Sequence, residues 1–121
     1  MRTLVLVAIG GALGSVFRYL VSQWVPRALP GDFPWATFGI NLLGSFLIGA
    51  LMGRLAPEDT GLRFLLVTGF CGGFTTFSAF TYETMQLVQN GHYFLAVSYA
   101  AGSMLLGTAL VVLGMRIFTG A

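Results

Sequence analysis

From Phe33 to Gly53 the chain runs 21 residues without a charged side chain. At about 1.5 Å of rise per residue, a helix of that length spans roughly 30 Å, the thickness of a bilayer's hydrocarbon. The scarcity of charge is general: of 121 residues, 8% are charged and 56% hydrophobic, with mean hydropathy +0.85. A soluble domain carries about 25% charged residues. This composition therefore predicts an all-α integral membrane protein. Punctuation by charge, proline and glycine divides it into four spans of about 4–25, 33–53, 64–88 and 93–116, in a single domain over 1–121.

Span 1 carries Gly10 and Gly14 at the spacing that lets two helices approach closely, and ends at Pro26 before a Pro30-Gly31 turn. Arg18 and Tyr19 stand where a leader's small-residue cleavage site would be, so the segment reads as a retained span. Arg18 can snorkel to the interface or attract anions at the mouth of a path, and the two roles are compatible. Pro34-Trp35 anchors the start of span 2, Arg54–Arg63 forms a polar loop, and Asn90-Gly91-His92 makes the last turn. Seventeen glycines, about twice the usual ~7% share, predict a tight bundle. Four spans put both termini on one side with Arg2, Arg54, Arg63 and Arg116, against Arg27 opposite, which favours cytoplasmic termini.

Several functions are excluded early. The net charge of +2 is spread over loop ends, which leaves no footprint for nucleic acid. Cys71 is the only cysteine and has neither a disulfide partner nor a nearby base, and His92, the only histidine, sits in a turn. No nucleophile and base are placed for chemistry, so an enzyme is not expected.

The least lipid-like stretch is Gly69–Glu83 in span 3. Three glycines in its first five residues weaken a helix by about 1 kcal/mol each relative to alanine. Hydroxyls at Thr75, Thr76, Ser78 and Thr81 alternate with rings at Phe74, Phe77, Phe80 and Tyr82. Loosened backbone at membrane depth is tolerated only where it is buried in protein or lines a water-filled cavity, so the helix is expected to break near Gly72–Thr76 at a site. Phe77 and Phe80 share one helical face there. In span 2, Thr37, Asn41 and Ser45 form a polar stripe, which serves either as interhelical glue or as the lining of a path. Tyr99 and Ser103 share a face of span 4, with Ser98 and Thr108 off that line.

Amide N–H groups, hydroxyls and the positive edges of phenyl rings suit a small, strongly hydrated anion. Such a lining replaces the ion's water without a fixed positive charge that would trap it. Carbonyls freed at Gly72-Gly73 suit a different ligand, a cation such as Na⁺.

With these residues in view, the chain resembles the Fluc family of small fluoride channels over nearly its whole length. Gly10-Gly11-Ala12-Leu13-Gly14-Ser15-Val16-Phe17-Arg18-Tyr19 is similar to that family's first-span signature. Thr37-Phe38-Gly39-Ile40-Asn41-Leu42-Leu43-Gly44-Ser45-Phe46 is similar to its second, and Gly69 through Glu83 to its third. The resemblance implies an antiparallel dual-topology dimer of identical chains in the bacterial inner membrane, with pores between the subunits. It implies a fluoride path along Asn41, Phe77 and Phe80, joined by Thr76 and Ser78, and a polar track beginning at Tyr99 and Ser103. It further implies a central structural Na⁺ held by the carbonyls of Gly72 and Thr75 from both copies. Arg18 and Glu83 match charged positions near a vestibule and the end of span 3. Ala79 stands where many members carry a hydroxyl, and Gly107 and Val111 offer none where the track would continue past Ser103, which leaves the length of the track open but not the paired rings.

The implied function is passive export of fluoride down its own gradient, which protects the cell. The main rival is a proton-coupled small multidrug transporter, which requires a carboxylate in its first span where this chain has only Arg18. A non-conducting membrane scaffold is the third reading.

Overall fold

The structure is a computed structural model describing residues 1–28 and 32–119, without the side chains of 26–28; the expected Pro30-Gly31 turn lies outside the described residues. Helix α1 (Arg2–Ala28) is followed by α2 (Trp35–Arg54). Span 3 has two limbs. The first joins α3 (Thr60–Leu62), a π-helical stretch Arg63–Cys71 and α4 (Gly72–Phe74), and the second is α5 (Phe77–Gln89). Helix α6 (Tyr93–Thr119) completes the described residues, which contain no strand. Four segments are long and apolar enough to cross a membrane: Arg2–Val25, Trp35–Arg54, Thr60–Gln89 and Tyr93–Thr119. The protein is thus an all-helical, multi-pass membrane protein.

Two close helix pairs organise the molecule, α1 with the first limb of span 3 and α2 with α6. Because lipid tails are as apolar as leucine, such pairs are held by packing contacts, which small residues maximise. The glycines sit where the sequence pattern requires close approach. A Cβ on Gly10 would collide with the Leu65 carbonyl oxygen and come within 2.8 Å of the Phe70 nitrogen. A Cβ on Gly14 would strike the Phe70 carbonyl, and one on Gly49 the Val111 carbonyl. Every one of these obstacles is backbone, so no rotamer change can relieve it. From the opposite side of the second pair, a Cβ on Gly114 would come 2.5 Å from the Phe46 carbonyl oxygen.

In the first limb, N–H groups reach back five residues, as from Gly72 to the Val67 carbonyl. Such wide turns are rare and concentrate at functional sites. Between the limbs, Thr75 (φ −85°, ψ 158°) and Thr76 (φ −148°, ψ 120°) are extended. Helix α5 ends on Gly91, whose φ of +80° falls in the left-handed region. There Gly91 N–H donates to the Val88 carbonyl (3.0 Å) and His92 N–H to the Leu87 carbonyl (2.8 Å). This is the Schellman arrangement that glycine makes accessible, and it fixes where His92 stands.

Candidate functional site

Two extended residues inside a span leave carbonyls and N–H groups without their helical partners, and each must find another in the absence of water. Asn41 on α2 supplies the first repair. Its Nδ2 donates to the Thr76 carbonyl (3.0 Å) while its Oδ1 accepts from Thr76 N–H (2.9 Å). The Thr76 hydroxyl caps α5 by accepting from Ala79 N–H (3.2 Å). On the other side of the break, Arg18 Nε donates to the Gly73 carbonyl (3.0 Å). That half-buried arginine is therefore tied to the middle of span 3. The Thr75 hydroxyl and N–H both donate to the Cys71 carbonyl (2.8 and 3.0 Å).

Among the carbonyls left over by these repairs are those of Gly72 and Thr75. In a continuous helix Gly72 O would accept from Thr76 N–H, and Thr75 O from Ala79 N–H. Those donors are engaged by Asn41 and by the Thr76 hydroxyl instead.

Beside the break lies an open-sided cavity of about 680 Å³. Asn41 and Ser45 line it from α2, Gly72, Thr75, Thr76, Phe77 and Phe80 from span 3, and Ser103 from α6. No lining residue carries a formal charge. Its hydrogen-bonding groups are not equally available. The Ser45 hydroxyl donates to the Asn41 carbonyl (2.7 Å) and that of Thr75 to Cys71, so both are spent. Asn41 retains one amide N–H, because an amide nitrogen carries two. Ser103 Oγ is buried with no partner in the protein. The rings of Phe77 and Phe80 are 6.0 Å apart, and Phe77 stands 76% exposed on the open side.

Of the residues singled out in the sequence, Asn41, Gly72, Thr75, Thr76, Phe77, Phe80 and Ser103 converge on this one cavity. Ser78 is exposed beside it, its Oγ 3.5 Å from the Thr76 hydroxyl. Tyr99 lies behind the lining. It is fully buried, with its ring 4.9 Å from that of Phe80 in a T-shaped pair, and its hydroxyl donates to Glu83 Oε1 (2.9 Å). Thr37, the first member of the polar stripe, is buried too and donates to Glu83 Oε2 (2.9 Å). The stripe is therefore divided. Asn41 and Ser45 face the cavity, while Thr37 holds the carboxylate beyond it.

Sequence reasoning did not find a second, smaller cavity of about 220 Å³, lined by Asp32, Pro34, Glu83, Gln86, Leu87, Asn90 and His92. Its residues come from three separate places in the chain, and only Glu83 and the helix-ending turn at Asn90-Gly91-His92 gave any signal. Nor did the sequence disclose the bond from Arg18 to Gly73, which joins residues 55 apart.

A family model described as "CrcB-like protein, Camphor Resistance (CrcB)" matches residues 5–115. A protein of Leptospira interrogans named "Fluoride-specific ion channel FluC" is 47% identical over 117 residues, covering 94% of this chain and 92% of that protein. A protein of the same name from Thermus thermophilus is 49% identical over 117 residues, covering 93% and 90%. A third, from Rhizobium johnstonii, is 44% identical over 116 residues, covering 93% of each.

Proposed function

The chain belongs to the CrcB-like family, and we propose that it is a fluoride-selective ion channel, not an enzyme, giving passive export of fluoride. The observation that carries this reading is the uncharged cavity beside the break, with an available amide N–H, an unpartnered buried hydroxyl and two phenyl rings. A compact anion entering it exchanges water for the Asn41 N–H, the Ser103 hydroxyl and the ring edges of Phe77 and Phe80. No fixed cation in the lining holds the ion back, so it can also leave. The drug-transporter reading needs a first-span carboxylate, and α1 has none. The scaffold reading leaves the unpartnered Ser103 hydroxyl without a purpose.

The same reading includes an antiparallel dimer of identical chains. In its favour, Phe77 projects from the monomer at 76% exposure beside an open-sided cavity whose lining includes hydroxyls and an amide. Exposing such groups to lipid is costly, and a second copy would cover them. Two copies inserted upside down relative to each other would also bring two sets of Gly72 and Thr75 carbonyls together. Those carbonyls fit a structural Na⁺, since a hard cation takes oxygen ligands and both have lost their helical donors. When bound, the ion would add a positive charge that tethers the two breaks. The cellular setting that fits is the bacterial inner membrane.

Purified protein in fluoride-loaded liposomes should release fluoride to an ion-selective electrode well above the leak of protein-free liposomes. Release no faster than that leak, from protein of intact size, would exclude the channel. For topology, cysteines placed near the termini of the chain expressed alone should label from both faces of the cell membrane. One-sided labelling would contradict the antiparallel homodimer and leave the channel standing.

A further inference from the structure

Asn41 on α2 and Ser103 on α6 both line the larger cavity. One helical turn further along each helix, on the same face, stand Ser45 and Gly107. The two helices run parallel, and their closest approaches pair Ser45 with Gly107, Gly49 with Val111 and Gly53 with Met115. At the first of these pairings α6 offers no side chain. A Cβ on Gly107 would come 3.3 Å from Ser45 Oγ, tighter than ordinary van der Waals contact. Positions 45 and 107 therefore share one small volume, and α2 fills it with a hydroxyl that lines the cavity.

At rest that hydroxyl donates to the Asn41 carbonyl (2.7 Å). The bond can be given up without orphaning a buried group. Inside α2 the Asn41 carbonyl also accepts the N–H of Ser45 in the ordinary helical pattern, so it keeps one partner when the hydroxyl turns away. A hydroxyl rotates freely about its bond to Cβ, and its proton can point to whichever acceptor is better. An ionised acceptor is roughly twice as good as a neutral one. With an anion in the cavity the hydroxyl turns outward, and once the anion leaves it returns to the Asn41 carbonyl.

We propose that the Ser45 hydroxyl is a rotating donor of the fluoride path, taking over one turn past Asn41 and Ser103 at a level where α6, with Gly107, has nothing to offer. The inference rests on the fluoride-channel reading above. Such a donor suits conduction, because its resting partner competes with the ion and helps release it. A hydroxyl with no resting partner would hold the ion more tightly.

The test is fluoride efflux from liposomes, with the leak of protein-free liposomes subtracted and each variant checked for wild-type elution. Ser45→Ala should slow efflux about fivefold, the difference between a charge-assisted bond gained and a neutral one given up. Adding Gly107→Ser to Ser45→Ala returns a hydroxyl to the same volume from the facing helix, and should bring efflux back to within about twofold of wild type. A serine that only staples its own helix would show no such rescue. Ser45→Cys, which keeps the shape but offers a weak S–H donor, should be as slow as Ser45→Ala, and this arm holds even where the double variant assembles poorly. Wild-type efflux from Ser45→Ala or from Ser45→Cys, or a normally eluting double variant no faster than Ser45→Ala, would overturn the proposal. No efflux from wild type would overturn the fluoride reading itself.

Discussion

Asn41→Asp should lower fluoride efflux at least a hundredfold while the protein still elutes at its usual size. Two effects act together. The carboxylate can still accept from Thr76 N–H, but it has no N–H for the Thr76 carbonyl, which then faces an anionic oxygen in place of its donor. Leaving a buried carbonyl unpaired costs about 1–3 kcal/mol, which loosens the connection between the limbs of span 3. The new charge also lies in the cavity wall. Two like charges about 4 Å apart at an effective dielectric near 20 repel by about 4 kcal/mol, and 1.4 kcal/mol is a factor of ten in rate. Asn41→Ser separates the effects, since it removes the pairing with Thr76 without adding charge. Its efflux should fall between those of the wild type and Asn41→Asp. Aspartate efflux equal to wild type would put Asn41 outside the path.

Replacing either paired ring with isoleucine should reduce efflux about tenfold or more. Isoleucine keeps apolar bulk but has no positive edge to offer an anion, and a tenfold loss corresponds to about 1.4 kcal/mol of lost stabilisation along the path. The two positions should not respond alike. Phe77 is 76% exposed and touches Phe80, so its change should affect the ion with little effect on the fold of one chain. Phe80 also packs on Tyr99, which holds Glu83, so its loss disturbs both cavities. Phe80→Ile is therefore expected to be the more damaging of the two, and Phe80→Tyr, which keeps the ring, the milder change at that position. Full efflux in both isoleucine variants would reduce the rings to packing.

What the sequence disclosed follows from the range over which its signals act. The absence of charge over 33–53 and the glycines at 10 and 14 are local facts, and both have direct structural counterparts in α2 and in the contact of α1 with the first limb of span 3. The polar stripe at 37, 41 and 45 was visible because a helix aligns every fourth residue. Its division was not, because nothing local reveals that Glu83, 46 residues later, draws Thr37 away from the cavity. Tyr99 and Ser103 share a helical face for the same reason, yet Tyr99 is covered by Phe80 and Phe33 while Ser103 reaches the cavity. Helical period gives direction around one axis, and burial depends on what the other helices bring. The loosening near Gly72 was legible as weak helix propensity, whereas the extended residues are Thr75 and Thr76, where Asn41 and a threonine cap offer the backbone other partners. The smaller cavity was hidden because it joins Asp32, Glu83 and His92 across two chain reversals.

Recording across a planar bilayer under a tenfold fluoride gradient, with equal chloride on both sides, tests fluoride conduction through this protein most directly. Current from reconstituted wild type should reverse near the fluoride equilibrium potential, about 59 mV in magnitude for a single charge, and should disappear in Asn41→Asp. A reversal potential near zero, or current that follows a chloride gradient instead, would contradict a fluoride-selective path.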